Sequence, residues 1–160
     1  MRAIALDSVQ AEPLQLLARG IAEAYGPDYT RGVYDVLDRL LLFERDPRGV
    51  EYLRDPDQIV LRMAAGQVAV GDCDDLSMTA AALLRAAGRP ALFVVVSRIP
   101  GAPWEHVLPA TMVPGRREPV YLDAQEAKAF DTLPPGVVRL GVYPVLENRE
   151  PDLDIRSLTG

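Results

Sequence analysis

Apolar residues recur at helical spacing through much of the N-terminal half of the chain. The spacing predicts helices over 10–25 and 29–42, with the charged side chains falling between the apolar ones. A shorter helix is predicted over 59–64, and 66–71 is predicted to form a loop. The apolar stripe of the second helix consists of Val33, Val36, Leu37, Leu40 and Leu41.

The clearest predicted element is a helix over 73–87. Asp72 is a favourable N-cap, and Asp75 three residues later fits the reciprocal capping pattern. Gly88 is a typical residue just past a helix end, and Pro90 prevents the helix from continuing. The helix boundaries are therefore defined by local chemistry at both ends.

Four extended segments follow this helix. The first, 91–97, is apolar up to Ser97 and contains three successive valines, as expected of a strand that is buried on both faces. Further strands are predicted over 104–113, 119–123 and 137–143, and the last dozen residues form a polar tail. The order of helices followed by neighbouring strands predicts an α+β fold, in which N-terminal helices precede a central helix packed on an antiparallel sheet.

Composition narrows the range of functions. A chain of 160 residues, 49% hydrophobic and 25% charged, has the size and balance of one globular domain. The net charge of −6 and the lack of a basic cluster argue against nucleic-acid binding. The apolar runs are too short to span a bilayer, and Asp7 and Glu12 interrupt any signal-like segment. We therefore expect a soluble cytoplasmic protein that does not bind membranes; the sequence carries no sign of its oligomeric state.

The chain has one Cys and one His, which excludes an internal disulfide and a thiolate-rich zinc site. No EF-hand loop is visible, so we expect neither a metal nor another cofactor. A lone Cys is more often an inert small hydrophobic residue than a nucleophile. The function therefore depends on where this Cys lies.

Cys73 is predicted to open the central helix. Unpaired backbone N–H groups and the helix dipole favour a thiolate there, and the Cys73 N–H could donate to an oxyanion. Gly71 is expected to permit close approach of a substrate backbone. Asp72 is interpreted mainly as a helix cap, while Asp74 and Asp75, interpreted as solvated or salt-bridged, would oppose a thiolate if they faced it.

His106 lies 33 residues after Cys73 on the second predicted strand, and Asp123 lies 17 residues after His106 near the end of the third. Neighbouring strands would bring the imidazole and the carboxylate together. An imidazole between a thiol and a carboxylate can accept the thiol proton while the carboxylate fixes the tautomer. A metal site made of the same three residues is the less favoured interpretation. Trp104, two residues before His106, is interpreted as a core residue more readily than as a shield over the His.

Several short motifs resemble the transglutaminase-like superfamily. The resemblance covers roughly 40–125 and rests on FERDP at 43–47, GDCDD at 71–75, AAGRP at 86–90, WEHV at 104–107 and VYLD at 120–123. It implies a papain-like fold in which a Cys opens the helix, a His follows on a strand and an Asp on the next strand. Members are peptidases, amidases, protein cross-linkers or deamidases, and some have lost activity.

The same resemblance gives Gln67 a role. Papain-like peptidases place a Gln a few residues before the Cys, where its amide donates to the oxyanion; the alternative is an exposed loop Gln. The whole chain is expected to form one transglutaminase-like domain, with N-terminal helices over 1–42, the triad core over 43–125, and a C-terminal strand and tail over 126–160.

The sequence therefore predicts a cysteine-dependent hydrolase or acyl transferase acting on amide or peptide bonds, with a protein or peptide as substrate. Cys73, His106 and Asp123 would be catalytic, assisted by Gln67. Water as the second nucleophile would give a peptidase or amidase, and an amine would give a transglutaminase. The alternatives are a non-catalytic phage or prophage structural or assembly protein that retains the fold, and a plain α+β binding domain with a fortuitous Cys.

Overall fold

A computed structural model describes residues 1–47, 50, 52–127 and 129–146. Within them the helices lie in the first 86 positions and precede the main sheet. A 3-10 turn, Gly26–Asp28, connects the second helix to the third. The helices are α1 (Arg2–Ser8), α2 (Glu12–Tyr25), α3 (Tyr29–Leu40), α4 (Pro56–Ala64) and α5 (Cys73–Ala86).

The strands form two sheets. A small sheet pairs β1 (Leu41–Phe43) with β2 (Ala69–Gly71) in parallel. The main sheet has the order β5-β4-β3-β6, and its neighbouring strands are antiparallel. Its strands are β3 (Leu92–Ser97), β4 (His106–Thr111), β5 (Val120–Tyr121) and β6 (Arg139–Pro144).

Helix α5 lies between the sheet and the other helices. It packs against β4 on one side and against α1, α2, α3 and α4 on the others. Its residues are buried around the full circumference over most of its length, as expected for a helix at the centre of a domain. The predicted α+β fold, with a central helix on an antiparallel sheet and helices before it, is confirmed.

The central strand β3 explains why 91–97 is so uniformly apolar. Phe93 contributes to the core around α5, whereas Val94 and Val96 belong to a second cluster on the opposite face of the sheet. Leu108 and Ala110 of β4 complete the buried part of that second cluster. Both faces of the strand are therefore covered.

Three features of the N-terminal half differ from the prediction. The short helix α1 was missed, and the helix predicted over 29–42 ends at Leu40 because the next residues form β1. The predicted loop 66–71 contains β2. Leu41 pairs with Ala69, which is 28 positions away, so no local pattern could reveal this strand pairing.

The strands of the main sheet are shorter than predicted. Trp104 lies before β4 and is 37% exposed, so the interpretation of this residue as core was wrong. Asp123 lies two residues past the end of β5 rather than within it. The predicted polar tail falls outside the described residues, and no helix among those described is long and apolar enough to cross a bilayer.

A hydrogen bond from Tyr29 anchors α3 to the last turns of α5. The Tyr29 hydroxyl donates to the Leu83 carbonyl at 2.8 Å in a fully buried setting. Tyr29→Phe should lower the free energy of unfolding by about 1 kcal/mol, because the carbonyl loses a partner. Tyr34→Phe is the matched control, since its hydroxyl makes no hydrogen bond within the described residues. Equal effects of the two substitutions in urea unfolding would contradict this account.

Candidate active site

Cys73 is the first residue of α5, and a complete capping box precedes it. The Asp72 carboxylate accepts hydrogen bonds from the N–H groups of Asp74 at 3.1 Å and Asp75 at 3.3 Å. The Asp75 carboxylate accepts the Asp72 N–H at 3.4 Å. Since the Leu76 N–H bonds the Asp72 carbonyl, the Cys73 N–H is the first-turn amide without an acceptor among the described residues. It remains available to a ligand.

The side chain of Asp75 is 0% exposed and is held by Arg54. Its Oδ1 accepts the Arg54 backbone N–H at 2.7 Å, and its Oδ2 accepts the guanidinium at 2.5 Å. Asp46 lies 3.8 Å from the same guanidinium. Of the two expected states of Asp75, the salt-bridged one is observed. The pair fixes the segment before α4 against the start of the helix that carries Cys73.

Gly71 is required by the same carboxylate. A Cβ at this position would lie 2.8 Å from the Asp75 Cβ and 3.0 Å from its Oδ2, closer than side chains tolerate. The space at Gly71 is therefore occupied by Asp75 of the capping box, whereas the sequence led us to expect room there for a substrate backbone.

His106 and Asp123 form a buried pair. The His106 Nε2 lies 3.0 Å from Asp123 Oδ2, and the two residues are 7% and 1% exposed. The other carboxylate oxygen, Oδ1, accepts the N–H groups of Gln125 at 3.0 Å and Glu126 at 3.1 Å. These bonds fix the carboxylate, which in turn fixes the orientation of the imidazole ring.

This environment stabilises the charged form of both groups. Burial lowers the pKa of His106, but the hydrogen bond that the ring donates to Asp123, the interaction with Cys73 and the negative charge of Asp123 outweigh it and raise the pKa to about 10. Burial raises the pKa of Asp123, but the hydrogen bond and charge of His106 outweigh it, so that this pKa lies below its ordinary value. The pair is therefore imidazolium and carboxylate at neutral pH.

The Cys73 thiol is the third group of the site, beside the His106–Asp123 pair. It is half-buried, and it lies near enough to His106 to help raise the pKa of the imidazole. Because Asp123 occupies Nε2, the nitrogen left for the sulfur is Nδ1. The thiol donates a hydrogen bond to Asp74 Oδ1 at 3.9 Å, and this carboxylate opposes negative charge on the sulfur. Cys73, His106 and Asp123 are thus brought to one site at the start of α5.

Two contacts hold the elements of the site together. The Ser77 hydroxyl of α5 donates to the Val107 carbonyl of β4 at 3.3 Å, next to His106. The Arg98 guanidinium bonds Glu105, which immediately precedes His106, and also Glu126, whose N–H binds Asp123. One cation therefore connects the loop that leads to His106 with the loop that carries Asp123.

Gln67 lies away from this constellation. It is exposed in the turn after α4, where its backbone N–H donates to the Arg62 carbonyl at 2.9 Å. The extended strand β2 then separates it from Cys73, a displacement of about 10 Å for three residues. Gln67 is not among the residues that line the cleft beside Cys73. Its role as an oxyanion donor stays a prediction.

A cleft of about 810 Å³ opens beside Cys73 and His106. The sequence gave no sign of this cleft, because its wall comes from strands that are distant in the chain. Among the described residues no cluster of His, Cys, Asp and Glu has the arrangement of a metal site. The other lining residues are Met1, Arg2, Asp74, Phe93, Val95, Trp104, Glu105, Val107, Tyr143 and Pro144.

No protein-family model matches the chain, and no curated protein matches it. Its structure is similar to that of a candidate protease from Parabacteroides distasonis, with a TM-score of 0.59 and 18% identity over 89% of this chain and 29% of that one. LapG from Legionella pneumophila, untreated or EGTA-treated, gives a TM-score of 0.49 and 16% identity over 88% of this chain and 74% or 72% of LapG. The first likeness shows a shared fold; this chain spans less than a third of that protein.

Removing the Arg54 guanidinium should destabilise the protein strongly. Arg54→Met leaves the Asp75 carboxylate buried without its cation and should cost about 3 kcal/mol in urea unfolding. Arg116→Met is the matched control, because Arg116 pairs with Asp131 at the same 2.5 Å while the two side chains are 40% and 27% exposed. The control should cost less than about 1 kcal/mol. Equal costs would show that the buried carboxylate does not depend on Arg54.

The raised pKa of His106 can be measured directly, because it is the one His of the chain. Its ring protons should titrate near pH 10 by NMR, and Asp123→Asn should move the midpoint down towards 6.5. Since the folded pKa lies above the unfolded value, the stability from the charged imidazole is complete below pH 6.5 and is lost as pH rises through 10. Wild type should lose more stability than Asp123→Asn over that interval. A wild-type midpoint near 6.5 would contradict the assignment.

Proposed function

We propose that this protein is a cysteine-dependent hydrolase or acyl transferase that acts on amide or peptide bonds. The observation that carries the proposal is the buried hydrogen bond of 3.0 Å between His106 Nε2 and Asp123 Oδ2, in a cleft that the Cys73 thiol also lines at the start of α5. A structural Cys would need neither an oriented imidazole nor an open helix terminus.

The proposed reaction begins with a Cys73 thiolate beside a protonated His106. The Cys73 thiolate would attack the carbonyl carbon of an amide, forming an S–C bond, and the oxyanion would accept the free Cys73 N–H. The His106 Nδ1–H would then donate its proton to the leaving nitrogen, so that the C–N bond breaks and a thioester remains. Neutral His106 would next accept a proton from water or an amine as it attacks the thioester, and the thiolate would depart. Asp123 would hold the ring orientation throughout.

Two further observations support the proposal. The GDCDD, WEHV and VYLD motifs resemble those of the transglutaminase-like superfamily, and they contain the three residues of the site. The fold is shared with a candidate protease from Parabacteroides distasonis. No observation favours the alternative of a non-catalytic phage assembly protein, which would require neither a reactive thiol nor a paired imidazole.

Alkylation with iodoacetamide tests the proposal, because Cys73 is the sole thiol of the chain. Its alkylation rate should stay high below pH 7, and His106→Ala should reduce that rate at least about 10-fold. The same protein unfolded in urea supplies the rate of an ordinary thiol. Tyr29→Phe, whose lost hydroxyl bonds Leu83 near the other end of α5, serves as the control for a core substitution away from the site. A folded protein that alkylates no faster at pH 6 than the unfolded chain would refute the proposal.

A further inference from the structure

The cleft beside Cys73 has an apolar floor supplied by three neighbouring strands. Val95 of β3 lies in register with Val107 of β4 on one side and with Gly141 of β6 on the other. In the next row Phe93 pairs with Tyr143. Residues in register on adjacent strands project to the same face of a sheet. These rows are therefore apolar throughout; Phe93 and Val107 are buried in them, and Val95 and Tyr143 are half-buried.

Gly141 determines how far this surface is recessed. A Cβ at position 141 would lie 3.2 Å from Tyr143 Cε2, 3.3 Å from Val95 Cγ2 and 3.5 Å from Trp104 Cζ2. All three of those side chains line the cleft. A methyl group there would press Tyr143 and Val95 towards the cleft by a few tenths of an ångström and would lie in ordinary contact with Trp104, so the cleft would become shallower.

Trp104 is a fixed wall of the cleft even though it is partly exposed. The Arg139 guanidinium lies over its ring at 4.0 Å and also donates to the Ala102 carbonyl at 2.5 Å. The neighbouring Glu105 accepts hydrogen bonds from the Ser97 hydroxyl and from Arg98. The Trp104 indole is thus held between Arg139 and Gly141. The Glu105 carboxylate is already hydrogen-bonded to Ser97 and Arg98.

We propose that the surface formed by Val95, Val107, Tyr143 and Trp104 above Gly141 binds a large apolar side chain of a peptide substrate, next to the amide that reacts at Cys73. This inference rests on the proposed function. An apolar side chain gains by leaving water against this floor, whereas a charged one would lose hydration there, since none of the four side chains carries a charge. A peptide with glycine in place of that apolar residue would leave the surface uncovered.

Peptide binding can be measured without turnover in a Cys73→Ala protein. Three capped tripeptides, identical except for a central Leu, Gly or Glu, are titrated while the emission of Trp104, the one Trp of the chain, is recorded. The Leu peptide should bind at least about 10-fold more tightly than the other two. Equal affinities overturn the inference. So does a Leu peptide that changes neither the Trp104 emission nor the methyl resonances of Val95 and Val107.

Substitutions in the same Cys73→Ala protein locate the subsite. Gly141→Ala should weaken binding of the Leu peptide about 5- to 10-fold. Gly20→Ala, where the added Cβ meets no atom within 4 Å, should leave it unchanged. Val95→Ser removes part of the floor without adding bulk, so the prediction remains testable if Gly141→Ala does not fold. Unchanged binding in Val95→Ser overturns the inference.

The outcomes separate the two proposals. An unreactive Cys73 in the alkylation experiment refutes the catalytic proposal and leaves the binding preference as a property of a non-catalytic peptide site. Equal peptide affinities, together with a reactive Cys73, refute the apolar subsite and leave the catalytic proposal standing.

Discussion

The first turn of α5 is organised by a carboxylate that has no contact with water. Asp75 bonds the N-cap residue, receives two hydrogen bonds from Arg54 and leaves no room for a side chain at Gly71. A buried carboxylate is stable only with such partners, and an apolar replacement could not make these hydrogen bonds. The position of Cys73 therefore follows from the requirement to satisfy the charge of its neighbour.

The charges around the sulfur act in opposite directions. Burial raises the pKa of Asp72, and Asp74 lies 3.9 Å from the thiol. Against these carboxyl groups stand the imidazolium of His106 and the positive end of the helix dipole. Asp123 holds the imidazolium in place by its hydrogen bond. The charge balance at the sulfur therefore depends on Asp123 through its effect on His106.

The sequence was sufficient for elements whose signals are local. Asp72 and Gly88 mark the two ends of α5. Cys73, His106 and Asp123 could be selected as candidates because each lies at or near the end of a predicted helix or strand. Non-local contacts left no such signal. The β1–β2 pairing joins residues 28 positions apart, and Arg54 reaches Asp75 across 21. The cleft wall is likewise assembled from β3, β4 and β6, so its apolar residues looked like ordinary core.

The bridge made by Arg98 brings two carboxylates together. The guanidinium is shared between Glu105 and Glu126, which belong to the two loops that present the imidazole and its carboxylate. Because these side chains are about a third exposed, solvent and salt screen the attraction. Loss of the cation would leave two glutamates with the same charge near one another, so the two loops would repel where they are now joined. High ionic strength would weaken this outer contact and leave the buried bond between His106 and Asp123 in place.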